Sequence, residues 1–373
     1  MRTLLTLIIF SLTLGAGITL AVNDIEIVPE TTDLTDAAVA LDEDVSAQDL
    51  GVGEPNILPD SPLYFFKEWG RNIQSFFTFD PVKKAELKEK FTSEKLIEVK
   101  TMVEQNKVQE RIEMAIENYR NELGEMVGAT ERIREKAEEN EEVGKFLDKF
   151  IQQRILQDRL LQKLEEQVPA EVFKKIKEAR EIHIEKFGEV MTKLEDKAKI
   201  QQRLEKNLQE VKGSEFKDFK NLEILQKLEE EVPEEAKEAV RNASENTLLR
   251  LKEGLEKLPL QAQEKFNEYI EEIGGEKEIQ MEVIEKLKEE LKELPTLQQN
   301  LIQTKERVLE GIKVWTQEQT QEQEQEQTSA CIQVWKPVCG KDGKTYSNEC
   351  FAESAGVEID YESACRAQKQ LQQ

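Results

Sequence analysis

The chain of 373 residues has few of the residue types that most often carry catalysis or bind metals. It has one histidine, His183, and four cysteines, all of which lie between Cys331 and Cys365. Because no Cys-x-x-Cys pair occurs and His183 is distant in sequence from the cysteines, a zinc site is disfavoured. No serine, cysteine or second histidine accompanies His183 in a motif, and no glycine-rich phosphate loop is present. We therefore predict no enzymatic activity, no cofactor and no metal.

Positive charge is scarce relative to negative charge. The chain has 52 Lys and Arg against 77 Asp and Glu, which gives a formal net charge of −25. Nucleic-acid binding needs basic residues that displace counterions from phosphates, so a nucleic-acid partner is excluded. Adhesion to an anionic membrane surface is disfavoured for the same reason. With 35% charged and only 6% aromatic residues, we expect a thin core and an elongated body.

Long apolar runs are missing except at the N-terminus, where one extends from about Leu4 to Leu20 after the basic Arg2. A short basic start, an apolar segment and a small residue at the end are typical of a secretory signal peptide, so we predict cleavage after Ala21. The alternative is a retained membrane anchor, and membrane contact is predicted only in that case. The expected location is outside the cytoplasm, either secreted or at the cell surface.

Residues 22–57 contain ten acidic residues, no Lys or Arg and almost no aromatic residues. Such a segment buries too little apolar surface to offset its ordering entropy. It is predicted to be a disordered acidic spacer.

Residues 58–314 are predicted to be helical, because they consist largely of Glu, Lys, Gln, Leu, Ile and Ala with apolar residues three and four apart. Prolines at positions 169, 233, 259 and 295 follow Val or Leu and are expected to end one helix and begin the next. The motif LQKLEEQVPAE at 161–171 recurs as LQKLEEEVPEE at 225–235. We predict stacked helical hairpins or a bundle, with the many acidic side chains on solvated helix faces.

An aromatic-rich stretch opens this helical region. It reads LPDSPLYFFKEW from Leu58, continues through FFTFDPVKKAELKEKF, and places Pro81 in the first turn of a long helix. The stretch resembles the start of an uncharacterised helical domain of exported bacterial proteins, which implies a compartment but no chemistry. The resemblance covers about 58–165 and, more faintly, the region beyond, and 166–314 is predicted to be a helical repeat region.

The C-terminal part begins with a Gln- and Glu-rich linker at 315–330, followed by the cysteine module at 331–366 and a tail at 367–373. A module of this size does not fold by core burial alone, and an even number of clustered cysteines in an exported chain indicates disulfides. Four cysteines allow three pairings.

The cysteine spacing, together with Val-Cys-Gly at 338–340, Asp-Gly-Lys-Thr-Tyr at 342–346 and Asn-Glu-Cys at 348–350, resembles a Kazal-type serine protease inhibitor domain. The resemblance implies a small α+β fold with Cys331 paired to Cys350 and Cys339 paired to Cys365. This is a four-cysteine variant, because the family's first cysteine is absent and its fifth is replaced by Glu353.

The resemblance also implies a protease-binding loop from Cys331 to Lys336 with a reactive bond between Gln333 and Val334. Asn348 would bond the loop backbone on both sides of that bond, and Tyr346 would be the aromatic residue of the small core. The loop side chains expected to contact a protease are Ile332, Gln333, Val334, Trp335 and Lys336. For Trp335 the alternative is a ring packed on the domain's own sheet.

The fold class predicted overall is mainly α, with a small disulfide-linked α+β domain at the C-terminus. The predicted function is inhibition of an extracellular serine protease. A subtilisin-like or broad-specificity target is favoured over a trypsin-like one, because Gln333 carries no charge. The alternative is a structural or adhesive surface protein in which the domain is a non-inhibitory binding module.

Overall fold

The computed structural model describes residues 34–133, 139–292, 295–310 and 334–365, and it is mainly helical. The helices of the body are α1 Leu34–Glu43, α2 Tyr64–Phe76, α3 Pro81–Glu104, α4 Gln109–Thr130, α5 Glu141–Glu166, α6 Ala170–Leu194, α7 Ile200–Glu210, α8 Lys217–Glu231, α9 Glu234–Lys257, α10 Leu260–Glu272, α11 Lys277–Glu290 and α12 295–310. The C-terminal domain contains β1 Val338–Gly340, β2 Thr345–Tyr346, α13 Glu349–Ser354 and β3 Ile359–Tyr361. The predicted fold class, mainly α with a small α+β domain, is confirmed.

Prolines set the helix boundaries as the sequence predicts. Pro169, Pro233 and Pro259 occupy the N-cap positions of α6, α9 and α10. Pro81 is the first residue of α3, and the Asp80 side chain accepts a hydrogen bond of 2.8 Å from the Lys83 amide. A proline is tolerated here because the first helical N–H groups have no intrahelical acceptor.

The repeated sequence motif forms the same structural corner twice. Its first copy ends α5 and begins α6, and its second copy ends α8 and begins α9. In each case the two helices joined by the Val-Pro corner pack against each other. The predicted helical hairpins are therefore present.

Two apolar clusters form the core of the body. The larger one joins buried residues from Val45 to Ala243, and the smaller one joins α8 and the end of α9 to α10, α11 and α12. The predicted boundary between 58–165 and 166–314 falls at the end of α5, and the larger cluster includes residues on both sides of it. The amphipathic pattern does not reveal which helices share a core.

The prediction of a disordered spacer is wrong for residues 34–57, and residues 22–33 of that segment lie outside the described part. Leu50 is fully buried in the larger cluster. Asp42 accepts hydrogen bonds of 2.7 Å from the hydroxyls of Tyr269 and Ser214, and Glu43 accepts one of 2.6 Å from the Gly274 amide. Asp42 and Glu43 are thus paired with donors of the body, which a composition argument cannot anticipate.

Several charged residues lie inside the body rather than on solvated faces. Arg154 on α5 is fully buried and forms an ion pair with Glu89 on α3. Arg180 on α6 is also buried and binds Asp158 at 2.7 Å and Glu223 at 3.2 Å. The prediction that acidic side chains are solvated is wrong for these residues. Each carboxylate compensates a cation that would otherwise be costly to remove from water.

His183 is a buried structural residue. Its Nδ1 lies 2.8 Å from the Tyr119 hydroxyl, and its Nε2 lies 3.0 Å from the carbonyl oxygen of Arg154. Burial, together with the charge of Arg154, lowers the pKa of His183 to about 3. The ring is therefore neutral at pH 7, donates to the carbonyl and accepts from the hydroxyl.

Glu165 gives the stability of the body a specific dependence on pH. Burial raises the pKa of its carboxyl group to about 7, although Arg180 lies 3.7 Å away. The pKa of Glu165 in the folded state exceeds its value of about 4.3 in the unfolded state. Its contribution to the unfolding free energy is therefore fully present below pH 4.3 and is lost as the pH rises through 7. We predict that the unfolding free energy of Glu165→Gln, relative to that of the wild type, is about 3 kcal/mol higher at pH 8 than at pH 4.

The measurement is denaturant unfolding followed by far-UV circular dichroism at both pH values. Glu256→Gln, at an exposed position of α9, controls for the loss of one surface charge. A difference between Glu165→Gln and the wild type that is the same at both pH values would contradict the assignment.

Candidate functional site

The C-terminal domain is built on strand β1. It pairs antiparallel with β2, with Val338 opposite Tyr346, and antiparallel with β3, with Cys339 opposite Tyr361. The strand order is therefore β2-β1-β3. Val338 and Cys339 are buried, so the central strand supplies the small core. The residues before β1 leave this core and form the candidate loop.

The Asp-Gly-Lys-Thr-Tyr segment forms the turn between β1 and β2. Asp342 accepts hydrogen bonds from the Lys344 amide at 3.1 Å and from the Tyr346 hydroxyl at 2.9 Å. The Lys344 backbone N–H, with the Tyr346 hydroxyl, lowers the pKa of Asp342. Gly343 has a φ of +79°, which favours glycine. These contacts explain why the segment requires an acid and a glycine at these positions.

Tyr346 packs against β1. A Cβ at Gly340 would lie 2.9 Å from Cε2 of Tyr346 and 2.6 Å from Cγ1 of Val357. Only a glycine permits this close approach. The ring is half-buried, because its hydroxyl reaches Asp342 at the surface.

Disulfides cross-link the domain. The predicted bond between Cys339 and Cys365 is formed, and the Cys365 amide donates to the Thr345 hydroxyl at 2.9 Å. Cys350 on α13 is also disulfide-bonded. Its predicted partner, Cys331, lies outside the described residues. Cross-links of this kind stabilise a domain that is too small for a large core.

Asn348 connects the candidate loop to the rest of the domain. Its side-chain Nδ2 donates to the Val334 carbonyl oxygen at 3.0 Å, and its Oδ1 accepts from the Phe351 amide at 3.3 Å as the N-cap of α13. The Lys336 amide donates to the Ser347 carbonyl oxygen at 2.9 Å. Residues 334–336 are therefore held against residues 347–348 by two hydrogen bonds. The sequence predicted that Asn348 bonds the loop backbone on both sides of Gln333–Val334. The contact with Val334 is present, and Gln333 lies outside the described residues. The sequence gave no signal for the contact of Ser347.

The loop side chains within the described part point to solvent. Val334 is 57% exposed, Trp335 is 70% exposed, and Lys336 is also exposed. The alternative that the Trp335 ring packs on the domain's own sheet is therefore wrong. Exposure of an indole on a backbone that is fixed by hydrogen bonds is typical of a contact residue. Ile332 and Gln333 lie outside the described residues.

In the described part of the chain, no group of three or more His, Cys, Asp or Glu side chains is placed to hold a metal ion. None of the helices in residues 34–133, 139–292 and 295–310 is long and apolar enough to cross a bilayer. The predicted signal segment at 1–21 lies outside this part.

The strand order, the disulfide between Cys339 and Cys365 and the Asn348 contact define a Kazal-like domain, and the comparisons with known families agree. The chain belongs to the family described as Domain of unknown function (DUF5667), whose sequence profile matches residues 56–294. A Kazal-type serine protease inhibitor domain matches residues 319–369. No curated protein and no solved structure matches the chain. The first match is continuous across both predicted helical segments, in agreement with their shared core.

The hydrogen bonds of Asn348 with Val334 and Phe351 can be separated by substitution. Asn348→Ala removes both, whereas Asn348→Asp keeps an oxygen for the Phe351 amide and loses the donor to Val334. Loss of an N-cap costs about 1 kcal/mol. We therefore predict that the amide hydrogens of α13 exchange about fivefold faster in Asn348→Ala than in the wild type. Asn348→Asp should leave their exchange close to the wild-type rate.

Hydrogen exchange with mass spectrometry on peptides covering 349–358 provides the measurement. Equal acceleration in both variants would show that the side chain stabilises α13 by a contact other than the cap.

Proposed function

We propose that the protein is an exported inhibitor of a serine protease, and that the loop Cys331–Lys336 enters the protease in the manner of a substrate. The observation that carries the proposal is the combination of exposed side chains and fixed backbone at Val334 and Trp335. A loop already held in one conformation loses little entropy on binding. The Kazal-type family match supports a serine protease as the partner in general.

The proposed mechanism places the reactive bond between Gln333 and Val334. The protease serine attacks the carbonyl carbon of Gln333, the C–N bond breaks, and the amine of Val334 becomes the leaving group. Asn348 holds the Val334 carbonyl oxygen at 3.0 Å, so this amine stays attached to the rigid domain beside the acyl-enzyme. Its return to the acyl carbon re-forms the peptide bond and competes with water. The inhibitor supplies no catalytic group of its own.

The proposed specificity rests on Gln333 and its neighbours. A neutral side chain forms no ion pair with the acid of a trypsin-like pocket, so subtilisin-like and broad-specificity proteases are the proposed targets. Trp335 would supply an aromatic contact beside the pocket, where such residues often dominate binding energy. The disulfide between Cys339 and Cys365 supports an oxidising, extracytoplasmic compartment. Within this proposal the segment 1–21 is the export signal.

We predict that the full chain inhibits a subtilisin-type protease with a sub-micromolar constant and inhibits trypsin weakly or not at all. Gln333→Pro should abolish inhibition. Trp335→Ala should weaken it about fivefold or more, since such residues commonly contribute over 1 kcal/mol. Asn348→Asp should also weaken inhibition at least tenfold, and the variant should be consumed by the protease, because the loop loses its anchor while α13 keeps its cap.

Steady-state titration against subtilisin-, chymotrypsin-, elastase- and trypsin-type proteases provides the test. Lys341→Gln, exposed on the turn away from the loop, is the control and should inhibit as the wild type does. Failure to inhibit any of these proteases, with both disulfides verified by mass spectrometry, would favour a non-inhibitory binding module. Tight trypsin inhibition would refute the specificity alone.

A further inference from the structure

Helix α2 and its flanking residues expose an unusually apolar surface. We call this surface the aromatic face of α2. It consists of Leu63, Phe65, Phe66, Trp69, Ile73, Phe76, Phe77 and Phe79. These side chains are between 39% and 81% exposed. Since an aromatic side chain has about 150–250 Å² of surface, the exposed apolar area is on the order of 1,000 Å². The largest apolar patch of an ordinary monomer is about 300–600 Å².

The helix is held with its polar side toward the body. Arg71 is buried and binds Glu94 at 2.8 Å and Glu98 at 2.9 Å, both on α3. Lys67 binds Glu98 at 2.7 Å, and the Tyr64 hydroxyl donates to the same carboxylate at 2.5 Å. Burial alone would lower the pKa of Arg71, but the surrounding carboxylates raise it. These ion pairs fix the orientation of α2 about its axis, so the apolar side of the helix faces away from α3.

Charge is absent from the outer side of this helix. The only charged residues between positions 61 and 79, all of which the structure describes, are Lys67, Glu68 and Arg71. Each of them forms an ion pair with residues of α3 or with its helix neighbour. In a chain with 35% charged residues, an uncharged surface of this size is exceptional. A protein interface of similar size normally has a polar rim that sets its register.

Two features favour a lipid surface over a second copy of the chain. Each copy has a net charge of −25, so association of two copies would bring together like charges with no pair on the face to offset them. A bilayer with zwitterionic headgroups imposes no such repulsion. Helices that lie in the bilayer interface present Phe, Trp and Leu on one side, which is the composition of the aromatic face.

The predicted export signal at 1–21 would bring the chain to a membrane. The apolar run from about Leu4 to Leu20 precedes α1 by 13 residues, 21–33. Thirteen residues extend at most about 45 Å. While the apolar run occupies a bilayer, during export or as a retained anchor, the body is held within that reach of the lipid surface.

We propose that the aromatic face of α2 docks on the boundary between headgroups and acyl chains of a zwitterionic bilayer. The α2 axis then lies in the plane of the membrane, and α3 with its carboxylates lies on the aqueous side. This function is independent of the C-terminal loop.

The test uses Trp69 as a probe, in the full chain and in the chain starting at residue 22, with Trp315→Phe and Trp335→Phe to remove other indoles. Phosphatidylcholine vesicles with bromine on the acyl chains quench a tryptophan that enters them. We expect stronger quenching from bromine at carbons 6 and 7 than at carbons 11 and 12, because interfacial helices insert about 5–10 Å. Added phosphatidylglycerol should weaken vesicle binding, since the chain is strongly acidic.

Substitution tests which surface is responsible. Phe66→Ser with Phe76→Ser should reduce vesicle partitioning of the chain starting at residue 22 at least tenfold. Leu260→Ser, which removes an equally exposed apolar residue of α10, should leave it unchanged. Circular dichroism confirms that all variants are folded.

Three outcomes would overturn the proposal: no quenching of Trp69, equal loss of binding in the α10 variant, or a dimer in sedimentation experiments that disappears in the α2 double variant. The last result would assign the face to a second copy of the chain. None of these outcomes bears on protease inhibition.

Discussion

The pairing of buried charge around helix α5 is the constraint on which the body depends. This helix packs against α1, α3, α6, α7 and α8, and it carries Arg154, Asp158 and Arg159 into the interior. A buried ion that loses its partner costs about 3–5 kcal/mol. Glu89 of α3 and Arg180 of α6 must therefore each meet its partner at one position along α5. Apolar packing alone would tolerate several registers.

The C-terminal domain reaches a single structure by different means. Its apolar core is small, so disulfides and hydrogen bonds define its loop. Asn348 contributes twice, because one end of its amide caps α13 and the other holds the Val334 carbonyl oxygen. The position of the loop is thereby tied to the helix that carries the disulfide-bonded Cys350. Asn348 and the disulfides therefore stabilise the fold of the domain, and they are also proposed to hold the two sides of a cleaved bond together.

The sequence predicts features that depend on local geometry or on a spacing of cysteines. The prolines mark the starts of α6, α9 and α10 because their effect is confined to neighbouring residues, and the role of Asn348 follows from the Kazal pattern. The packing of Asp42 and Leu50 was missed because it depends on partners far along the chain, such as Tyr269. The pairing of Glu89 with Arg154 was missed for the same reason. Helical periodicity locates apolar stripes but does not show which charges are buried.

The central claim is that the protease acts on one bond of the loop and that this bond is re-formed. The most direct measurement incubates the oxidised protein with a trace of subtilisin-type protease and follows its mass. The account predicts a single species heavier by one water, with Val334 as its new N-terminus after reduction. Intact and cleaved protein should reach the same ratio from either starting form. Cleavage that runs to completion, or that occurs first at another bond, would contradict the account.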